Sequence, residues 1–231
     1  MKSEDTILAA IAGFVDTLSF VALFGLFTAH VTGNFVLIGA AVAGFGQDIL
    51  LKLIVFPAFI GGVVVSSLLV RSLSGRHTRQ GARLLHAVQA ALMFGFCLAG
   101  VWATPLDHPH SVPAIVAGVV GALAMGVQNA HPKLIQRRGV PNTVMTGNVT
   151  QAILDVIDML SADAPDSVRA AARTRFAQMM PAIAAFAIGA MAGALGFRYL
   201  GFWVLLVPAC ALVALALTTG EHERAALPGS T

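Results

Sequence analysis

The stretch "TAHVTGNFVL", residues 28–37, interrupts an apolar run with the triplet Thr32-Gly33-Asn34. The same triplet returns as Thr146-Gly147-Asn148 within "TVMTGNVTQA", residues 143–152, again beside apolar sequence. Threonine and asparagine are strong helix N-cap residues, and glycine lets the backbone turn sharply before a helix. Each triplet is therefore predicted to begin a short helix at a point where a longer apolar segment breaks.

The composition around these triplets is that of an integral membrane protein. The chain has 231 residues, of which 57% are apolar and only 11% are charged, and its mean hydropathy is +0.83. Soluble domains carry roughly 25% charged residues. At about 20 residues per crossing, this length allows some six membrane crossings and excludes a separate soluble catalytic domain.

The apolar segments predict the number of crossings. Six of them are long enough to cross a bilayer, at about 6–27, 50–70, 82–103, 112–131, 177–196 and 199–218. The segments 34–46 and 148–160, which follow the triplets, have about 13 residues each. A helix of that size is roughly 20 Å long, too short for a hydrocarbon core of about 30 Å. The predicted fold is an all-α integral membrane protein with six transmembrane helices and two short half-helices.

Basic residues predict the orientation, because Lys and Arg concentrate in cytoplasmic loops. With six crossings, three basic clusters fall on one side of the membrane, at 71–83, 133–138 and 169–175. If the two short segments also crossed, the third cluster would lie on the opposite side from the other two. We therefore predict a multi-pass protein with both termini cytoplasmic. The same distribution accounts for a pI near 9.3 without nucleic acid as a partner.

Four markers occur in the same order in both halves of the chain. The first half has "GFVD" (13–16), "TGN" (32–34), "PAF" (57–59) and Cys97, and the second has "GVQN" (126–129), "TGN" (146–148), "PAI" (181–183) and Cys210. We predict a first membrane repeat at 1–107, a second at 108–220 and a cytoplasmic tail at 221–231. Three crossings per repeat require the second copy to be inverted, and inverted repeats with interrupted helices are typical of transporters.

The marker segments also resemble a known family. "GFVDTLSFVALFGLFTAHVTGNFVLIG" (13–39) and "GVQNAH…TVMTGNVTQ" (126–151) look like the YoaK-like family of bacterial inner-membrane proteins, a domain family of unknown function. The resemblance covers nearly the whole chain. It implies a six-helix protein of the bacterial inner membrane, but no substrate or reaction, so the function has to be predicted from the residues.

Two interpretations of the triplets remain open. In the functional one, the two helix starts meet near the middle of the membrane, where positive helix ends and polar side chains bind a small polar or anionic solute. The predicted substrate-binding residues are Asp16, Thr32, Gly33, Asn34, Gln128, Asn129, Thr146, Gly147 and Asn148. In the structural one, each triplet only caps a short interfacial helix. Asp155 and Asp158 favour this second interpretation for 148–160, which could lie on the cytoplasmic surface.

Asp16 lies about ten residues into the first apolar segment. A charged side chain inside a span costs roughly 2.5–3.5 kcal/mol on insertion scales and is a functional candidate by default. Asp16 and His30, which lies two residues before the first triplet, are therefore predicted to be proton-coupling groups. The alternative is a structural carboxylate that is hydrogen-bonded to a nearby helix start such as 32–34. Asn129 occupies the corresponding position of the second repeat.

No cofactor, metal site or enzymatic activity is predicted, because we find no ligand spacing on one helix face and no nucleophile–base pair. Small-residue faces at Gly62 and Ser66 and at Gly189 and Gly193 predict close helix packing in the bundle or a homodimer. The predicted partners are membrane lipid and a small polar solute. The leading prediction is a permease-like transporter with a site at the repeat interface. The alternative is a non-transporting membrane protein that binds lipid or a partner, in which Asp16 and both triplets are structural only.

Overall fold

The computed structural model describes residues 2–46, 49–73, 78–135 and 145–219. Within these ranges the chain is all helical, as predicted, and has no strand. The elements are α1 (Lys2–Ala22), α2 (Val31–Val42), α3 (Ile49–Ser72), α4 (Thr78–Trp102), α5 (Val112–Leu134), α6 (Met145–Leu160), α7 (Asp166–Leu200), a 3-10 segment (Gly201–Leu205) and α8 (Leu206–Thr218). The two short helices that the triplets predicted are α2 and α6.

Five helical stretches of the described chain are long and apolar enough to cross a membrane. They are Ser3–Ala22, Ile49–Ser72, Arg79–Trp102, Val112–Leu134 and Asp166–Thr218. The last has 53 residues, but it does not run straight, because Gly201 has a φ of +57°. A Cβ atom on Gly196 would lie 2.6 Å from the Val204 side chain, whereas an uninterrupted helix separates such positions by about 12 Å. The chain therefore turns back on itself between α7 and α8.

The helices of the two halves interleave. The first helix of the chain, α1, packs along α7, and the first helix of the second half, α5, packs along α3 and α4. The short helices pack on their own halves, α2 on α3 and α6 on α7, while α8 packs on α4. A buried apolar cluster joins α1, α4, α5 and α8, with Leu18, Phe96, Met125 and Leu212 fully buried in it.

Glycines at matching positions set the two main helix crossings. A Cβ atom on Gly13 of α1 would overlap the carbonyl oxygen of Phe186 in α7. In the other pair, a Cβ atom on Gly126 of α5 would overlap the carbonyl oxygen of Phe59 in α3. Gly13 and Gly126 are the first residues of the "GFVD" and "GVQN" markers. The two halves thus use the same marker residue to bring helices into backbone contact.

The predicted small-residue faces lie at these same crossings. Gly189 and Gly193 of α7 approach backbone carbonyls of α1, and Gly62 of α3 approaches the Leu123 carbonyl of α5. Ser66 turns its hydroxyl to the Gly62 carbonyl of its own helix, at 2.7 Å. These faces pack within the chain, and a homodimer through them stays a prediction.

Several residues that carry the predicted orientation lie outside the described ranges. They are Arg76, Arg137 and Arg138, together with the whole tail 221–231. The cytoplasmic placement of the termini therefore stays a prediction, as does the division at residue 107.

Candidate functional site

The Asp16 carboxylate is the centre of the first-repeat site. It lies on α1, it is 4% exposed, and the chain that follows α1 folds back over it. Its Oδ1 atom accepts hydrogen bonds from the backbone N–H groups of Thr28 (2.9 Å), Ala29 (2.8 Å) and His30 (3.4 Å). These N–H groups belong to the irregular backbone immediately before α2, so the carboxylate satisfies buried donors that have no partner in regular secondary structure.

The other oxygen of Asp16 pairs with a histidine. Oδ2 lies 2.6 Å from Nδ1 of His30, whose side chain is 37% exposed while that of Asp16 is 5% exposed. The His30 ring also packs edge-on against Phe186 of α7, with ring centroids 5.8 Å apart. One oxygen of Asp16 is therefore bound by backbone, and the other is joined to an ionisable ring that reaches the surface of the described protein.

The first triplet lies inside the helix that it was predicted to cap. Helix α2 begins at Val31, and its N-cap is His30, which makes no side-chain capping bond. Asn34 instead reaches back to Phe27, accepting from the Phe27 N–H at 3.0 Å and donating to the Phe27 carbonyl at 2.8 Å. The prediction that Thr or Asn caps this helix is wrong, because Asp16 and Asn34 instead form hydrogen bonds with the backbone that precedes it.

The irregular segment 23–30 is held by further contacts. Phe24 has a φ of +55° and Gly25 one of +74°, which ends α1 earlier than the predicted residue 27. The hydroxyls of Ser19 and Thr28 are 2.9 Å apart, and Nζ of Lys52 on α3 donates to the Phe24 carbonyl at 3.3 Å. Non-helical backbone is tolerated at membrane depth when it is buried in protein in this way.

The depth of this segment follows from the helix geometry. Asp16 lies six residues before the end of α1, which corresponds to about 9 Å along the helix. Because residues 28–30 bond to Asp16, they lie level with it rather than beyond the end of α1. The segment is therefore re-entrant, and α2 starts alongside α1.

The second triplet has different surroundings. Thr146 and Gly147 are exposed on the first turn of α6, and Asn148 is buried with its amide nitrogen 3.8 Å from the sulfur of Met145. Met145 belongs to an apolar cluster with Ala9 of α1, to which Phe186 also packs. Both short helices thus begin near the α1–α7 pair. The residues before Met145, which would correspond to 23–30, lie outside the described ranges.

Asp155 of α6 does not lie on the surface. It is fully buried against α7, where its Oδ1 accepts from Nη2 (2.6 Å) and Nε (2.9 Å) of Arg175 and from Gln151 (3.1 Å). Arg175 also lies 3.6 Å from Asp158. The acidic residues that favoured an interfacial α6 therefore attach this helix to α7.

Gln128 and Asn129 do not join the Asp16 group through any contact described. Gln128 is fully buried; it donates to the Leu8 carbonyl at 2.7 Å and accepts from Gln89 of α4 at 2.6 Å. Leu8 lies about 12 Å before Asp16 along α1. Asn129 donates to the Met125 carbonyl of its own helix at 3.0 Å. Of the predicted site residues, the structure brings together Asp16, His30 and Asn34 around the backbone of 27–30.

A second polar group was missed by the sequence analysis. Glu4, His86 and His131 lie together in the bundle, next to the Gln89–Gln128 pair. The available signal was the spacing of polar residues in apolar helices, since His86 and Gln89, like Gln128 and His131, are three residues apart on one helix face. Spacing within single helices could not show that three helices converge there.

Comparisons with known proteins identify the family. Residues 6–218 match the model of a family described as a protein of unknown function, DUF1275. The chain is 28% identical over 153 residues to the UPF0700 transmembrane protein YoaK of Bacillus subtilis (strain 168), a match that covers 65% of each chain. The match therefore spans just under two thirds of that relative. No solved structure matches the chain significantly. With five apolar helical stretches of membrane-crossing length, this chain belongs to the DUF1275 family and is a YoaK-like multi-pass transmembrane protein.

Proposed function

We propose that the protein is a transporter for a small polar or anionic solute and that the Asp16–His30 pair is its proton-coupling element. The observation that carries this proposal is the pair itself. A buried carboxylate and a partly exposed imidazole lie 2.6 Å apart where α1 breaks and the chain re-enters the bundle. Carboxylate–histidine groups inside membrane bundles are characteristic of proton relays, and broken helices are characteristic of transporter sites.

The proposed architecture has six crossings in two inverted repeats. The reversal at Gly201 divides the last helical stretch, so that the 3-10 segment with α8 supplies the sixth crossing. The paired crossings of α1 with α7 and of α5 with α3, each formed at a marker glycine, support the repeat. Three crossings in each half then make the two copies inverted, with the solute site at their interface.

The solute would bind beside the first turn of α2. Thr32 is exposed there, and the pair next to it can change its charge. Asn34 and the Oδ1 atom of Asp16 hold the backbone of 27–30, so they position the site rather than contact the solute. Only His30 and Oδ2 of Asp16 then remain to exchange a proton during transport.

The test is uptake by the purified protein in proteoliposomes, with solutes chosen first by a thermal-shift screen of small anions, amino acids and metabolites across pH. Wild-type protein is expected to transport a hit solute at a rate that depends on pH. Asp16→Asn keeps an oxygen for the backbone N–H groups but cannot ionise, so uptake should lose its pH dependence while the protein still folds.

Asp155→Asn is the matched control, because Asp155 is also a fully buried carboxylate but bonds to Arg175 between α6 and α7. Its pH dependence should equal that of wild type. Unchanged pH dependence in Asp16→Asn would remove the pair from the mechanism. Absence of uptake for every thermal-shift hit would favour the alternative, a non-transporting membrane protein that binds lipid or a partner.

A further inference from the structure

The side chains of the second polar group are types that bind metal ions, and they converge from three helices as the ligands of a metal site do. Glu4 comes from the start of α1, His86 from the first half of α4 and His131 from the end of α5. These residues are 8%, 0% and 3% exposed, respectively. One potential ligand atom of each lies within 4.8 Å of those of the other two. We propose that these three side chains bind one divalent transition-metal ion, with Zn²⁺ as the expected ion; this inference does not rest on the proposed transport function.

The distances require little movement to accept an ion. Oε1 of Glu4 lies 3.0 Å from Nε2 of His86 and 3.9 Å from Nε2 of His131. With Zn–N and Zn–O bonds of about 2.0–2.2 Å, ligand atoms around a tetrahedral Zn²⁺ are about 3.3 Å apart. The two imidazole rings already face each other, with centroids 4.5 Å apart and planes inclined by 27°. The separations fit, but stacked rings direct their nitrogens side by side, so both imidazoles would have to tilt towards one point to complete three of four tetrahedral positions.

The charge of the cluster favours a cation. An ionised carboxylate that is almost completely buried is costly unless a positive charge accompanies it. A divalent ion would neutralise the carboxylate while both rings stay neutral, and two imidazoles with one carboxylate are a donor set that Zn²⁺ accepts.

Hydrogen bonds about one helical turn from the ligands join the helices that carry them. On α4 and α5 the next layer is the hydrogen bond from Gln89 to Gln128, and Gln128 also bonds to the Leu8 carbonyl of α1. This layer joins the same three helices that supply the ligands. Nδ1 of His86 is buried and has no hydrogen-bond partner in the described part of the chain, so Nε2, which faces Glu4, is the nitrogen that is engaged.

An ion at this position would connect the two halves of the protein. Helix α1 packs mainly on α7, and the Glu4–His86 contact joins its start to α4. Three protein ligands leave a fourth position for water, and the burial of all three residues places that position inside the bundle. We therefore expect the ion to hold the start of α1 against α4 and α5.

The test uses the full-length protein, purified with a tag that contains no histidine, stripped with a chelator and titrated with Zn²⁺ or Co²⁺. One ion per chain by elemental analysis, together with the visible absorption of tetrahedral Co²⁺, is the expected result. His86→Ala and Glu4→Gln should each weaken binding by more than the 10–100-fold that loss of an outer hydrogen-bond partner costs a metal site. The double variant His108→Gln/His110→Gln, in the loop between α4 and α5, should bind as wild type does.

Two outcomes would overturn the proposal. One is a wild-type protein that binds less than stoichiometric metal and shows no Co²⁺ absorption, which would leave a cluster that holds only a proton. The other is a Glu4→Gln variant that elutes as a single species in gel filtration and binds metal with wild-type affinity. Since the first outcome is measured on the wild type, a variant that fails to fold does not prevent a decision.

Discussion

The two marker segments, 13–34 and 126–148, begin with the same packing and then differ in chemistry. In both, a glycine places one helix directly against the backbone of another, Gly13 against Phe186 and Gly126 against Phe59. Three residues later, Asp16 receives the returning backbone and a histidine, whereas Asn129 bonds to the preceding turn of its own helix. The halves therefore share a helix crossing, but the described residue three positions after the glycine is an ionisable side chain paired with a histidine in the first half and an amide in the second.

This difference indicates which repeated positions serve folding and which serve function. A glycine is needed wherever two helix backbones touch, so each half has one at its crossing. An ionised carboxylate at this depth is costly, and three backbone donors and a histidine offset that cost at one place only. The comparison predicts that substitutions of the crossing glycines have similar effects in the two halves, whereas substitutions of the polar residues that follow them do not.

The largest expected effect is the loss of Asp16. Asp16→Ala leaves three backbone N–H groups and His30 without their acceptor, which should lower the free energy of unfolding by about 3–5 kcal/mol. Asn129→Ala removes a hydrogen bond of a half-buried amide to its own helix and should cost about 1 kcal/mol. Equilibrium unfolding in mixed detergent micelles measures both. Equal losses would mean that the two positions are equivalent and would contradict the asymmetry.

The crossing glycines should come next, with similar effects in both halves. A methyl group on Gly13 or Gly126 forces two backbones apart, so Gly13→Ala and Gly126→Ala should each lower the free energy of unfolding by about 1–3 kcal/mol. Gly39→Ala is the matched control, because Gly39 lies in α2 with nothing within 4 Å of an added Cβ. It should gain up to about 1 kcal/mol from helix propensity. A large loss in only one half would show that the crossings are not equivalent.

Asn34 should have a smaller effect than Asp16 because its partners are only partly buried. Asn34→Ala leaves the Phe27 N–H and carbonyl without their partner and should cost about 1–2 kcal/mol. Asn34→Asp keeps the acceptor for the N–H but cannot donate to the carbonyl, so its loss in the same unfolding assay should be no smaller. If Asn34→Ala instead weakened solute binding without lowering stability, Asn34 would belong to the binding site rather than to its support.

Much of this architecture could be predicted from the sequence, since helix period, apolar length and repeated markers are local properties. The all-α fold, a short helix at each triplet and the role of small residues at 62, 189 and 193 follow from such properties, although both short helices begin three residues before the predicted 34 and 148. The exact partners of Asp16 could not be predicted in the same way. The structural alternative placed its hydrogen bonds at a nearby helix start such as 32–34, but the carboxylate bonds to 28–30, because Phe24 and Gly25 turn the chain back before the triplet.

The cluster of Glu4, His86 and His131 shows why the remaining polar groups were missed. Its members come from three helices and are separated by most of a repeat, so no local spacing relates them. Asp155 shows the same limit: its hydrophilic character was compatible with a surface position, but it is buried against α7, where it accepts from the partly exposed Arg175. Polar residues in apolar helices could be identified from the sequence, but their partners depend on tertiary structure.

The smallest expected effect on stability is also the most specific test of the triplets. Thr32 and Thr146 are both exposed, so Thr32→Ala and Thr146→Ala should each change the free energy of unfolding by less than about 0.5 kcal/mol. If both hydroxyls contact the solute, each variant should weaken its binding in the thermal-shift titration by about fivefold, which corresponds to one hydrogen bond of about 1 kcal/mol. An effect of Thr32→Ala alone would restrict the site to the half that has the ionisable pair. If neither variant weakens solute binding, the triplets act only as helix starts. The unchanged free energy of unfolding would by then have excluded a structural role for the two hydroxyls.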